Sequence, residues 1–204
     1  MIGFKRVACL FVFLFSCLSS AYALSSPVDM LEDVSSRAIN QLKAHQATLK
    51  TNPAVVYRII NQILLPHAAM EDMARVALGR SAWGKATPAQ RILFVKEFTQ
   101  LMVNTYSSAL AAYTDETIQF YPLRGGYQNK TRVQVDSVVI RESGPSLSVK
   151  YRLVLKGGQW KVYDISVEGV SILESFRSQF ADELSQGDLD DLLQKLQAHN
   201  GNNS

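Results

Sequence analysis

The chain has 204 residues, 47% of them apolar and 19% charged, with a formal net charge of +3. That balance is too apolar for a disordered chain and too charged for one embedded mostly in a membrane. The length fits one domain of ordinary size, or two small ones sharing a core.

The first segment reads as targeting rather than fold. Lys5 and Arg6 give a basic start, Val7 to Leu18 is almost wholly apolar, and Ala21-Tyr22-Ala23 is an A-x-A cleavage signature. Together they predict a cleaved secretory signal peptide over residues 1–23. The apolar run falls short of the roughly 20 residues that span a bilayer, which argues against an uncleaved anchor. Phe15 argues against a lipoprotein attached through Cys17, because it is bulky for a lipobox. Cleavage removes Cys9 and Cys17, the two cysteines of the chain. The mature chain then has no disulfide, no thiolate nucleophile and no cysteine metal site. Loss of Lys5 and Arg6 lowers the net charge from +3 to +1. Nucleic-acid binding thereby loses its compositional support.

Beyond the leader, Ser26-Pro27 is an N-cap followed by Pro at the first helical position. Val28, Leu31, Val34, Ala38 and Leu42 repeat at helical spacing after it. Asn52-Pro53 opens a second helix, broadly apolar through Leu64 and stopped by Pro66. A third runs from about Ala68 to Leu78, with Gly79 just past its end. Thr87-Pro88-Ala89-Gln90 is a capping box. The long helix it opens carries Phe94, Phe98, Leu101, Met102, Tyr106 and Leu110 at steps of three and four. About 26 residues at 1.5 Å each make a rod of roughly 40 Å.

The period then changes to two. Thr117 to Tyr121, Arg132 to Arg141, Ser146 to Lys156 and Gln159 to Val167 read as strands. Gly157-Gly158 joins the last two as an antiparallel hairpin. No strand–helix–strand alternation appears, which argues against a parallel dinucleotide-binding sheet. Ser171-Ile172-Leu173-Glu174 starts another helix, Gly187 breaks it, and Leu189, Leu192, Leu193 and Leu196 mark a last amphipathic segment. Asn200 to Ser204 reads as a disordered polar tail. The fold class is α+β, with an antiparallel sheet of about four strands packed with helices from both chain ends.

The residues offer little catalytic chemistry. There is no G-x-S-x-G, H-E-x-x-H, Walker or G-x-G-x-x-G motif. His67, with Glu71 four residues on, has the form of a general base but more often caps or salt-bridges its own helix. Asp164 and Glu168 form a potential acid pair, for which an ion-pair network with Arg177 is the commoner use. Charge is more informative. Arg124, Lys130, Arg132, Arg141, Lys150, Arg152, Lys156 and Lys161 are opposed only by Asp136 and Glu142. The sheet's polar face is therefore basic: either a solvated face guarding an edge, or a docking surface for an acidic partner or anionic membrane.

Two blocks carry a resemblance. The first is Leu78-Gly79-Arg80, Trp83, Ala86-Thr87-Pro88-Ala89-Gln90-Arg91, Phe94, Glu97-Phe98, Thr105-Tyr106 and Leu110. The second joins Tyr151-Arg152-Leu153, Gly158-Gln159-Trp160-Lys161-Val162-Tyr163-Asp164-Ile165, Val167-Glu168-Gly169-Val170-Ser171 and Phe176-Arg177-Ser178-Gln179-Phe180. Over about Val28 to Leu196 the chain resembles the toluene-tolerance family of periplasmic phospholipid carriers. It departs from that family's pattern at His67-Ala68-Ala69-Met70, which is less aromatic, and at Phe176, where Tyr is common. The resemblance implies a strongly bent, NTF2-like sheet with helices around an apolar cavity. It implies a monomeric carrier with bound phospholipid as cargo, and no cofactor, metal or enzyme activity. The carrier would shuttle lipid between an outer-membrane lipoprotein–porin complex and an inner-membrane ABC transporter, maintaining outer-membrane lipid asymmetry.

Physical reasoning fits that implication. Two acyl chains hold about 30 methylenes, whose exposure to water costs on the order of 25 kcal/mol. A carrier must enclose them in a pocket at or above the usual range of about 300–1,000 Å³, while the headgroup can stay in water. Residues 24–199 are then one lipid-binding domain. The expected walls are Leu64, Met73, Val76, Phe94, Phe98, Leu101, Met102, Tyr106, Val149, Tyr151, Leu153, Trp160, Val162, Val167 and Val170. Arg80, Lys85, Arg124 and Lys130 are candidates for phosphate contacts at the mouth. The competing readings are a lipid hydrolase using His67 or the Asp164/Glu168 pair, and a scaffolding protein without a cavity.

Overall fold

A computed structural model describes residues 25–201 apart from residue 142. The expected signal peptide, both cysteines, Glu142 and residues 202–204 lie outside the described residues. Helix α1 (Pro27–Ala44) begins where Ser26 Oγ accepts hydrogen bonds from the Val28 and Asp29 N–H groups. Helix α2 (Pro53–Ile59) continues into a π turn at Ile60–Leu64 and a tight 3-10 turn at Leu65–His67. The single helix expected there is thus three stretches of different pitch. The wider π turn precedes Pro66, whose ring the regular helix would not accommodate. Helix α3 (Met70–Leu78) ends at Gly79, whose φ of +82° favours glycine. A short helix α4 (Arg80–Lys85) follows, which the periodicity did not indicate.

Helix α5 (Pro88–Ala111) opens with both halves of its capping box: Gln90 N donates to Thr87 Oγ1 at 3.2 Å, and Thr87 N donates to Gln90 Oε1 at 2.9 Å. Five strands form one antiparallel sheet in chain order: β1 (Thr117–Phe120), β2 (Arg132–Ile140), β3 (Leu147–Lys156), β4 (Gln159–Val167) and β5 (Val170–Ser171). The fifth is a two-residue addition to the four expected. At the β3–β4 hairpin Gly157 and Gly158 both have positive φ, 56° and 76°.

Helices α6 (Ile172–Gln186) and α7 (Leu189–Gly201) follow, and α7 ends the described residues. The tail expected from Asn200 does not begin there, because Asn200 belongs to α7 and is buried. Its amide donates to Glu97 Oε2 at 2.8 Å and to the Glu97 carbonyl at 3.0 Å, tying α7 to α5.

Apolar side chains gather in three clusters. One lies among α3, α5, α6 and α7, with Phe94, Phe98, Phe176 and Phe180 at its centre. A second joins α1, α2, the π turn and the second half of α5. The third lies between α1 and the apolar face of the sheet.

Candidate functional site: the seam between helix α1 and the sheet

Register decides what the sheet presents. Val133 pairs with Leu153 and Leu153 with Val162; Leu155 pairs with Trp160. Paired residues share a face, so these side chains lie together. A β-bulge interrupts the β3–β4 register after Arg152. The extra residue lets Tyr163 and Asp164 both reach the α6 side: Tyr163 packs on the helical core, and Asp164 accepts from the Ser171 hydroxyl at 2.9 Å. A charged residue is thereby kept off the apolar face.

That face is covered by α1. Leu31, Val135, Leu153 and Trp160 are buried together, and Val28, Met30, Val133, Tyr151, Leu155 and Val162 pack half-buried around them. Leu123 and Tyr127 from the β1–β2 loop close one end, where the Tyr127 ring meets Trp160 edge-on at 6.4 Å. Tyr151 stacks obliquely on Phe120 at 5.7 Å and hydrogen-bonds to Ser137; burial pushes its phenol above the usual tyrosine range.

The fifteen expected wall residues divide among the clusters. Tyr151, Leu153, Trp160 and Val162 meet in the seam, with Val149 buried and Val167 half-buried opposite each other on the same sheet face. Leu64 packs on the α1–α2–α5 cluster. Met73, Phe94 and Phe98 belong to the closed helical core, and Val76, Leu101, Met102 and Tyr106 flank it. Burial raises the Tyr106 phenol above its ordinary value. The placement of Phe94 and Phe98 has a geometric cause: the first half of α5 turns toward α3 and α7 rather than toward the sheet. Val170 is 64% exposed on β5. Val28, Leu31, Val133 and Val135 were missed, although the alternation in β2 and the stripe in α1 carried their signal.

An enclosed cavity was expected between sheet and helices. Among the described residues, open grooves of about 880, 530 and 400 Å³ lie elsewhere. Each is lined by helical or loop residues, and none by any of the fifteen. Arg80 and Lys85 line the first, together with Arg177, Asp188 and Asp190. Arg124 and Lys130 lie apart from them, exposed on the β1–β2 loop, where Lys130 Nζ donates to the Gly125 carbonyl.

Most of the basic sheet face is engaged within the molecule. Lys156 pairs with Asp72 of α3, and Arg152 with Asp164 at 3.3 Å. Arg132 lies over the Tyr163 ring at 5.0 Å, and Lys161 donates to the Pro66 carbonyl. The candidate acids have separate tasks. Asp164 clips β4 to the start of α6, and the Glu168 carboxylate accepts the Ser148 N–H. Arg177, expected between them, pairs with Glu174 instead. His67 faces Arg37, Asp33 and Lys161; burial is the main cause that lowers its affinity for a proton. His67, Asp164 and Glu168 share no partner. Among the described residues no group of three His, Cys, Asp or Glu could hold a metal ion, and no helix is long and apolar enough to cross a membrane.

Comparison with known proteins agrees with this architecture. A model of the MlaC protein family matches residues 32–198. Toluene tolerance protein ttg2D of Pseudomonas putida is 30% identical over 170 residues, covering 82% of this chain and 78% of that protein. The intermembrane phospholipid transport system binding protein MlaC of Haemophilus influenzae is 30% identical over 181 residues, covering 87% and 84%. A solved phospholipid-binding protein from Ralstonia solanacearum, in complex with a phospholipid, superposes with a TM-score of 0.79 at 28% identity, over 87% of this chain and 98% of that one.

Proposed function

The chain belongs to the MlaC family, and from that premise we propose that it is a periplasmic phospholipid carrier, exported by residues 1–23 and working without catalysis. It takes lipid between an outer-membrane lipoprotein–porin complex and an inner-membrane ABC transporter, and so maintains outer-membrane lipid asymmetry. The observation that carries this reading is the phospholipid bound to a relative of the same fold.

The seam supports it from this chain's own residues. Tails leaving a membrane need an apolar surface to replace it, or they face a cost of about 0.8 kcal/mol per methylene. The sheet's apolar face offers that surface. Its cover is α1, a single helix that contributes Val28 and Leu31, and several side chains under it are only half-buried. We place the tails there, between α1 and β2–β4, with Leu64 and the π turn at the far side. Tyr151, Leu153, Trp160, Val162, Val149 and Val167 remain wall residues in this reading. Met73, Phe94 and Phe98 become the rigid support behind it. Arg124 and Lys130 stand nearest the loop end of the seam, and the phosphate belongs with them. Arg80 and Lys85 fit a different surface.

Native mass spectrometry of the protein taken from its own periplasm tests this. The expected spectrum shows the mature chain mass plus phospholipid. A bare chain under gentle conditions overturns the carrier reading and favours the scaffold.

A further inference from the structure

Trp160 is 2% exposed, and its indole N–H meets no acceptor among the described residues. Buried donors in folded proteins are nearly always paired. An indole nitrogen only donates, so its own role is unambiguous. The surroundings are apolar: Leu31, Val135 and Leu153 are buried beside it, and the Tyr127 ring meets it edge-on.

We propose that Trp160 determines cargo specificity: its N–H donates to an ester carbonyl of a diacyl glycerophospholipid held in the seam. This rests on the carrier reading above. A diacyl lipid carries few acceptors at the level where its tails begin, and the ester carbonyls lie there, just below the phosphate. The chain shows the same order of polarity. The β1–β2 loop exposes Arg124 and Lys130 and turns Leu123 and Tyr127 inward. The unpaired donor lies under that loop, and hydrocarbon walls continue along β2–β4. Cation, donor and apolar wall follow one another as phosphate, ester and tail do in the lipid. A fatty acid or a detergent chain has no carbonyl at that level with a phosphate above it, so the donor selects for lipids with an ester beneath a phosphate.

The test compares diacyl phosphatidylethanolamine with its dialkyl ether analogue, which lacks the carbonyls. Delipidated protein and its Trp160→Phe variant are titrated with each. The wild type is expected to prefer the ester lipid by several-fold, up to about tenfold for one hydrogen bond. Trp160→Phe should bind both lipids alike, so that the preference for the ester lipid disappears whatever affinity the wall itself loses. A variant that keeps the ester preference, or a wild type that shows none, overturns the proposal. A second measurement needs no variant. The chain has two tryptophans, so ¹⁵N labelling gives two indole signals. The Trp160 signal should move downfield with the ester lipid and not with the ether; identical shifts overturn the assignment. A wild type that takes up neither lipid overturns the carrier reading itself, and the inference with it.

Discussion

Phe98 and Trp160 are almost equally hidden from solvent, at 0% and 2% exposure, yet they belong to differently finished regions. Phe98 lies in an interlocked set of rings. It stacks with Phe94 at 5.9 Å and meets Phe176 and Phe180 edge-on at 5.4 and 6.0 Å. Four helices surround that set, and these edge-to-face contacts add to simple burial. Trp160 lies under one helix, in a small buried group of four ringed by half-buried side chains, with its donor unmet. The contrast teaches that one chain can build a closed core and a yielding one from similar side chains. What differs is the size of the fully buried set and whether its polar atoms are met.

The largest effect should separate the two regions outright. Phe98→Ala should lower unfolding free energy by about 3–5 kcal/mol, as for other buried aromatic deletions. Urea denaturation measures this. Lipid bound per folded molecule should stay unchanged, and its loss would show that the two regions do not act independently. Leu153→Trp should do the reverse. Overfilling the seam costs about 1–3 kcal/mol of stability, and phospholipid should vanish from the native mass spectrum. Stoichiometric lipid in that variant removes Leu153 from the wall.

The smallest effect concerns the join between the regions. His67 precedes Ala69, whose N–H donates to the Val162 carbonyl at 2.7 Å and stitches the entry of α3 to β4. Burial first, then Arg37, with Lys161 adding and Asp33 opposing, lowers the pKa of His67 from its ordinary 6.5. The unfolded chain therefore takes up its proton before the folded one does. The contribution of His67 to stability is complete above pH 6.5 and declines as pH falls toward the lower folded value. His67→Gln should flatten the fall in melting temperature over that acid range. An unchanged slope would place the acid sensitivity on other groups.

Much of the fold was legible because local chemistry determines it. Thr87 and Gln90 mark the start of α5 through hydrogen bonds to nearby backbone, and Gly157-Gly158 marks a turn through φ alone. The direction α5 faces was not legible. Its stripe is wide enough to serve two clusters, and only the partner helices decide which residues meet which. The role of Asp164 was hidden for a similar reason. Its partners Arg152 and Ser171 are set by strand register and by a bulge, neither of which leaves a periodic mark. Trp160 stood out as an apolar strand residue, but the lack of an acceptor for its N–H is a property of the assembled seam.

The bond between Glu97 and Asn200 spans 103 positions of the chain. A ribosome delivers those two residues at very different times. Until the second arrives, the carboxylate of Glu97 lacks the amide that meets it in the finished molecule, and α7 cannot seal the phenylalanine rings. Completion of this core therefore waits for a partner made more than a hundred residues later, and the rings stay open on that side until α7 docks.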